Sequence, residues 1–208
     1  MLQLLGRANS SNVMKVVWLL EEMHHAYERR DVGGKFGGND TPEYRAMNPN
    51  GVVPTIIEDE FVLWESNAIL RYLAAAHPAG HKFWPTDLRA RANVDRWMDW
   101  QQTTLGPPMT TVFWGLVRTE PEKRDLPAIH KAAARLGDLY GMIDHQLASH
   151  DYIAGPDLTL CDMSIGVHAH RWMSFQGIEK PAHPNLKAWY ARLLARKPFK
   201  DHVSAPPT

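Results

Sequence analysis

Two groups of polar residues stand directly before predicted helices, where backbone N–H groups are free to bind anions. Ser10, Ser11 and Asn12 precede the run VMKVVWLLEEM, and Glu65 and Ser66 precede NAILRYLAAA. A hydroxyl or amide at such a position either caps the helix or offers a donor to a ligand, and the helix dipole favours a negative group there. These residue types allow an anion-binding role, with simple capping as the alternative.

A proline interrupts an apolar run in the first third of the chain. The segment VVPTII, residues 52–57, reads as a buried strand and follows the turn signal NPNG. Proline removes a ladder donor and belongs at edges, bulges or strand starts. Pro54 therefore predicts a strand start, an edge or a bulge at this point of the chain.

The elements around these residues predict a small α/β domain. Residues 2–6 predict a strand, and a helix follows with apolar residues at helical spacing: Val13, Val16, Val17, Leu20 and Met23. A second strand at 26–32 would complete a parallel strand–helix–strand unit. A short helix is expected from Pro42, then an antiparallel hairpin turning at 58–60, then a helix that ends before Pro78.

From residue 88 onward the pattern is helical only. Helices are predicted over 88–105, 128–149, 158–175 and 185–199, and strand-like alternation does not recur after Leu63. The glycine- and proline-containing segment 79–86 predicts a linker. The expected fold is an α/β domain at 1–80 followed by an all-α domain at 87–208.

Four stretches together carry a family resemblance: NSSNVMKVVWLLEE, NPNGVVPTI, WESNAILRYL and YIAGPDLTLCDMSI. The first half resembles a thioredoxin-like domain, and the whole chain resembles a cytosolic glutathione S-transferase of the bacterial serine/asparagine type, near theta and nu-like members. The resemblance implies a glutathione-binding domain at 1–80 and a helical domain at 87–208 that forms the second-substrate pocket. It implies a detoxifying transferase that adds the glutathione thiolate to a hydrophobic electrophile. The alternatives are a glutathione-dependent disulfide or peroxide reductase, or a non-catalytic glutathione- or ligand-binding protein of the same fold.

The resemblance also assigns glutathione-binding residues. Val53–Pro54 matches the family's cis-proline position, which presents the Val53 backbone to the ligand. Glu65 would accept from the ligand's ammonium, and Ser66 would bind its α-carboxylate. Lys35 and Asn39 match by position the residues that reach the glycyl carboxylate, although a solvated lysine is the alternative for Lys35.

The resemblance places the catalytic hydroxyl on Ser10, with Asn12 second and Ser11 third. A hydroxyl that donates to sulfur at the positive end of a helix lowers a thiol pKa, and the thiolate is the nucleophile. Glutathione is the expected co-substrate, with no permanently bound cofactor. The alternative for this doublet of serines is helix capping by Ser11 or Asn12.

Residues in the helical domain are assigned to other roles. The expected second-substrate pocket has apolar, methionine-containing walls suited to varied electrophiles, namely Gln101, Met109, Phe113, Trp114 and Trp172. The helix over 89–104 is the expected homodimer interface. Thr159 and Asp162 have the spacing of a capping box, and Cys161 is expected to be a core residue.

Composition excludes several other classes. Lys+Arg and Asp+Glu are balanced at 23 each, which argues against nucleic acid or an anionic membrane as a partner. We expect no membrane span, no signal peptide and a cytoplasmic protein. A single cysteine excludes an internal disulfide and a Cys-x-x-Cys site. No metal site is expected, because His168 and His170, like His24 and His25, lie too close in sequence to share a face.

Overall fold

The protein is described over Met1–Thr208 by a computed structural model, and its chain divides into two compact units, Met1–Trp84 and Pro85–Thr208. The first unit contains every strand, and the second unit is helical. No helix is both long enough and apolar enough to cross a bilayer.

The first unit is built on a four-stranded mixed sheet with the strand order β2-β1-β3-β4. The strands are β1 Leu2–Leu5, β2 Tyr27–Arg30, β3 Thr55–Glu58 and β4 Phe61–Trp64. β1 and β2 are parallel, as the predicted strand–helix–strand unit requires, while β3 is antiparallel to both β1 and β4. This is the expected thioredoxin-like arrangement.

Three helices accompany the sheet: α1 Ser11–Glu22, α2 Pro42–Met47 and α3 Ser66–Ala76. Residues 13–20 of α1 are all buried, so α1 lies in the interior rather than on an amphipathic surface. The helix packs against α3.

Two details of the first unit differ from the sequence prediction. β3 begins at Thr55 and not at residue 52, because Pro54 has no N–H to donate to the ladder. The predicted linker is a short 3-10 helix, Pro78–Phe83, that packs on α3. A Cβ on Gly80 would lie 2.5 Å from the Cα of Ala74, so glycine is needed for this close approach.

The second unit contains six α-helices and two π-helical segments. The α-helices are α4 Leu88–Trp100, α5 Gly106–Phe113, α6 Leu126–Gln146, α7 Leu160–Ser174, α8 Pro184–Leu194 and α9 Lys197–His202. π-helical turns follow α4 at Gln101–Leu105 and α5 at Trp114–Arg118. A 3-10 turn, Pro121–Lys123, precedes α6.

The prolines of the second unit explain where its helices depart from prediction. α5 was not predicted, because Gly106-Pro107-Pro108 reads as a helix breaker. Both prolines lie in its first turn, directly after the π-helical turn Gln101–Leu105, and proline is common at the first positions of a helix. The predicted helix over 185–199 ends at Leu194, and Pro198 instead starts the short α9.

The predicted capping box is present at the start of α7 and lies at the centre of a buried network. Asp162 accepts hydrogen bonds from the Thr159 N–H at 2.9 Å, the Ile153 N–H at 2.9 Å and the Trp189 indole at 3.0 Å. Burial raises the pKa of Asp162, and these donors oppose the rise. Cys161 is fully buried beside it, and burial raises the pKa of its thiol well above the ordinary value.

Candidate functional site

The three candidate catalytic residues occupy three different environments at the start of α1. Ser10 is the N-cap residue, with an extended backbone and an exposed fraction of 8%, and its side chain makes no capping hydrogen bond. Ser11 is the first helical residue and is half-buried, whereas Asn12 is exposed. The Ser10 hydroxyl therefore lies at the start of α1 without capping the helix.

The backbone before β3 presents unpaired groups, as the position of the proline predicts. The Val53–Pro54 peptide is cis. The Val52 carbonyl accepts from the Tyr44 hydroxyl at 2.6 Å and from the Asn48 amide at 2.8 Å. The Val53 N–H and C=O, by contrast, make no hydrogen bond within the chain. Side chains from α2 and the preceding turn thus hold this segment and leave the polar groups of Val53 available.

A glycine brings the Val53 segment close to the start of the β1–α1 loop. A Cβ on Gly6 would lie 3.2 Å from the Cβ of Val53 and 2.5 Å from Cγ2 of Val13. Any larger residue would push the two segments apart. Gly6 therefore allows the Val53 backbone to approach the loop that leads to Ser10.

The start of α3 has an unusual backbone. Glu65 has a φ of 73°, in the left-handed region that non-glycine residues rarely adopt. Glu65 is the N-cap residue of α3, and Ser66 is its first helical residue. Ser66 therefore does not occupy the N-cap position, and it is 5% exposed. The turn leaves the Glu65 side chain exposed and directs the chain from β4 into α3. Such outliers persist only where the surroundings hold them, and they cluster at functional sites.

A buried lysine that sequence reasoning missed lies beside Ser66. Lys15 is 2% exposed, and its Nζ lies 3.4 Å from Ser66 Oγ and 3.5 Å from Asn67 Oδ1. Buried lysines are rare unless they are paired. The available signal was a lysine inside the apolar run VMKVVW, which a helical pattern assigns to solvent. Lys15 ties the first turns of α1 and α3 together and places a positive charge at the start of α3, where it favours anions.

The glycine-rich loop lies next to the Val53 segment. A Cβ on Gly33 would lie 3.5 Å from Cγ1 of Val53 and 3.3 Å from a guanidinium nitrogen of Arg7. Asn39 donates its side-chain amide to the Gly51 carbonyl at 2.7 Å, which holds the loop in place. Lys35 is exposed, with Nζ 5.1 Å from the centre of the Phe36 ring. Arg7, which sequence reasoning also missed, adds a second cation at this loop.

The five residues assigned to a second-substrate pocket separate into buried and exposed members. Met109 and Trp172 are each 1% exposed, and Trp172 stacks on Tyr140 with ring centres 5.3 Å apart. Both belong to the interior of the helical unit, so a wall role for them is not favoured. Large apolar side chains are the usual filling of a helical core.

The remaining three pocket candidates differ in how far their side chains are exposed to solvent. Gln101 is buried, with Nε2 3.4 Å from Nε2 of His168. Phe113 is buried beneath the Arg171 guanidinium, which lies 3.9 Å from its ring centre. Trp114 is 60% exposed, so it has the most freedom to meet a ligand.

The first unit thus defines a class of protein. Its thioredoxin-like sheet presents an unpaired backbone edge at Val53, an anion-favouring helix end at Ser66 with Lys15 beneath it, and a hydroxyl at Ser10. That combination suits a small, extended, acidic peptide. The second unit adds an all-helical domain. The architecture is that of a thioredoxin-like domain followed by an all-helical domain.

Comparison with known proteins identifies the family within this class. The family described as "Glutathione S-transferase, N-terminal domain" matches residues 1–75, and "Glutathione S-transferase, C-terminal domain" matches residues 105–197. The chain belongs to the glutathione S-transferase family.

Individual relatives span the whole chain. Glutathione S-transferase GstB of Escherichia coli is 38% identical over 208 residues, covering 99% of both chains. The theta class glutathione S-transferase of Xanthomonas axonopodis pv. citri, solved with glutathione bound, is 44% identical, with a TM-score of 0.94 over 100% of this chain and 99% of its own. Dichloromethane dehalogenase of Methylophilus leisingeri is 29% identical over 80% of this chain and 65% of its own.

Proposed function

We propose that this protein is a glutathione transferase that binds glutathione on its first unit and adds the thiolate to a hydrophobic electrophile. The observation that carries the proposal is the contact of Lys15 with Ser66, because it places the starts of α1 and α3 side by side. A ligand whose carboxylate lies at Ser66 then has its sulfur within reach of Ser10. The relative from Xanthomonas, which was solved with glutathione bound, supports the choice of ligand.

The γ-glutamyl end of glutathione would bind at the start of α3. Its α-carboxylate would accept from the Ser66 hydroxyl and N–H, with Lys15 supplying the compensating charge beneath. The exposed Glu65 would accept from the ammonium. The cysteinyl backbone would pair with the free N–H and C=O of Val53, and Lys35 and Arg7 would meet the glycyl carboxylate, while Asn39 holds the loop.

Ser10 would donate a hydrogen bond to the glutathione sulfur and lower the pKa of its thiol. The thiolate attacks an electrophilic carbon, a carbon–sulfur bond forms, and a leaving group departs with the electron pair. Ser10 forms no covalent bond in this scheme. The rate gain comes from positioning the two reactants and from stabilising the thiolate. Asn12 and Ser11 stand second and third for this role.

The reductase alternative is limited by the chemistry of Cys161. A reductase that forms a mixed disulfide with the protein needs an accessible cysteine of low pKa. Cys161 is the only cysteine, is fully buried, and has a raised pKa. Every sulfur step must therefore use glutathione itself. This fits conjugation and dehalogenation, the second being the activity named for the relative from Methylophilus.

The second substrate is proposed to be a small apolar electrophile that meets Trp114, with Gln101 and Phe113 behind it. We further propose a homodimer, a cytoplasmic location and a role in detoxification, as for a transferase that uses a soluble thiol.

Calorimetry with S-methylglutathione tests binding without the reactive thiol. Wild-type protein should bind it, and Ser66→Ala should weaken binding about tenfold or more, because a charge-assisted hydrogen bond contributes about 1.5–3 kcal/mol. Ser149→Ala, at an exposed serine of the second unit, is the control and should bind normally. A panel of aryl halides, alkyl halides and peroxides then assigns the reaction. Equal affinity in wild-type and Ser66→Ala protein would overturn the placement.

A further inference from the structure

Three ligand-type side chains from different segments meet at one corner of the first unit. His25 lies in the loop between α1 and β2, Glu58 is the last residue of β3, and His77 directly follows α3. One ligand atom from each lies within 4.8 Å of the others. All three side chains are half-buried, so the corner combines restricted motion with access from solvent.

The spacing of these atoms is close to that of a coordination sphere. Nε2 of His77 lies 3.2 Å from Oε1 of Glu58. Zinc bonds of about 2.0–2.2 Å in a tetrahedral site place neighbouring ligand atoms roughly 3.4 Å apart. The His77–Glu58 edge of the triangle therefore already fits, and the other two edges are no longer than 4.8 Å.

A neighbouring tyrosine orients the carboxylate. The Tyr72 hydroxyl donates to Oε2 of Glu58 at 2.6 Å, which leaves Oε1 directed toward His77. Outer hydrogen bonds of this kind fix ligating carboxylates and are a recurrent feature of metal sites.

This corner has one more imidazole than a His–Glu ion pair requires. A His77–Glu58 pair alone would be complete with one imidazole. Here the His25 ring lies with its centre 4.2 Å from that of His77, and both rings face one carboxylate. Two imidazoles with one carboxylate, and no thiolate, match the preferences of borderline divalent metals such as Zn²⁺, Co²⁺ and Ni²⁺ rather than Ca²⁺ or Mg²⁺.

We propose that His25, Glu58 and His77 form a binding site for a divalent transition metal such as Zn²⁺, with water completing the coordination. This proposal departs from the expectation of no metal site, and its ligands are separated by 33 and 19 positions along the chain. A metal here joins the end of β3 to the end of α3 and to the loop before β2.

The site lies at the far end of the sheet from the proposed glutathione site. Glu58 is the last residue of β3, whereas Val53 and Pro54 precede its first residue. Likewise His77 follows α3, whereas Ser66 begins it. The metal should therefore stabilise the first unit against unfolding without contacting glutathione, since a ligand that binds only the folded state raises its stability by mass action.

The test is a calorimetric titration of tag-free, EDTA-treated, full-length protein with ZnCl₂ at neutral pH, alongside thermal melts. We expect one site per chain, micromolar or tighter, and a rise in the melting temperature. His25→Ala and His77→Ala should each weaken binding at least tenfold. Co²⁺ should give visible ligand-field bands in the wild type that a double variant, with both His25→Ala and His77→Ala, lacks.

His24→Asn is the matched control, because His24 is the exposed neighbour of His25 and its φ of 51° suits asparagine. This variant should bind zinc like the wild type. Zinc binding that is absent, or that survives in the double variant, would overturn the proposal. Each variant's melt without metal shows that it is folded, and S-methylglutathione affinity, expected unchanged, separates this result from the proposed function.

Discussion

At the residue scale, the most informative side chain is Lys15, which a helical pattern alone cannot place. It lies inside the first unit with its ammonium against Ser66 and Asn67. Removing a buried charge from water is costly and needs compensation. An anion held at the start of α3 would lie beside this ammonium and be stabilised by it, which gives the lysine a role in binding a ligand carboxylate.

Replacing Lys15 with methionine tests this reasoning, since methionine keeps the length of the side chain and removes the charge. Affinity for S-methylglutathione should fall about 10- to 100-fold, the equivalent of about 1.5–3 kcal/mol for a charge-assisted contact. Calorimetry measures the affinity, and a urea titration run in parallel measures the stability. The exposed Lys131, replaced in the same way, serves as the control. An unchanged affinity in a folded Lys15→Met protein would make Lys15 a structural residue only.

At the element scale, the order of strands and helices in the first unit was predictable because each element has its own pattern. The parallel β1–α1–β2 unit and the β3–β4 hairpin follow from periodicity and turn signals. The start of β3 and the helicity of Gly106–Phe113 were missed, since both depend on what a proline does at a particular position.

The candidate site was predictable to a similar extent. Ser10, Val53 and Ser66 stand at element ends, which sequence patterns indicate. Lys15, by contrast, reaches Ser66 across 51 positions, and the contact depends on the packing of α1 against α3. The burial of side chains such as Met109 and Trp172 also depends on packing. Helical periodicity alone therefore did not distinguish residues that line a pocket from residues of the core.

The network around Asp162 gives a prediction at this scale. Asp162→Ala would leave the buried N–H groups of Ile153, Thr159 and Trp189 without their acceptor. Each unsatisfied buried donor costs about 1–3 kcal/mol, so the free energy of unfolding should fall by roughly 3 kcal/mol or more. Thr159→Ala, which removes the cap side chain and its hydroxyl's 3.0 Å hydrogen bond to Asp162, should cost about 1 kcal/mol or more.

Urea unfolding monitored by tryptophan fluorescence measures both losses. The control is Asp157→Ala, because Asp157 is exposed in the same loop and its loss should stay within about 0.5 kcal/mol. If Asp162→Ala is no less stable than Asp157→Ala, the network does not hold the start of α7.

At the scale of the whole molecule, the apolar residues of α4 do not support the proposed dimer interface. The apolar residues of α4 that favoured an interface, Val94, Trp97 and Met98, are buried within the chain itself. The exposed positions of α4 include Arg89, Arg96 and Asp99. An interface on this helix would therefore combine charged groups with the 76% exposed Leu88, and the contribution of the charges would weaken with added salt.

Sedimentation velocity at micromolar protein measures this assembly. We expect a dimer at low ionic strength, with a dissociation constant that rises as salt increases. Arg96→Glu should weaken the dimer, whereas Lys131→Glu, on α6, should not. A monomer at every protein concentration and salt level would contradict the proposed dimer.

The ionisation of bound glutathione tests the central claim most directly. Ultraviolet difference spectroscopy across a pH titration follows the thiolate of glutathione in saturated complexes with wild-type, Ser10→Ala and Asn12→Ala protein. We predict a thiol pKa well below the ordinary value of about 8.5 in the wild type. It should return toward that value in Ser10→Ala with affinity nearly unchanged, and stay low in Asn12→Ala. A pKa that stays low in Ser10→Ala and rises in Asn12→Ala would contradict the assignment of the hydroxyl to Ser10.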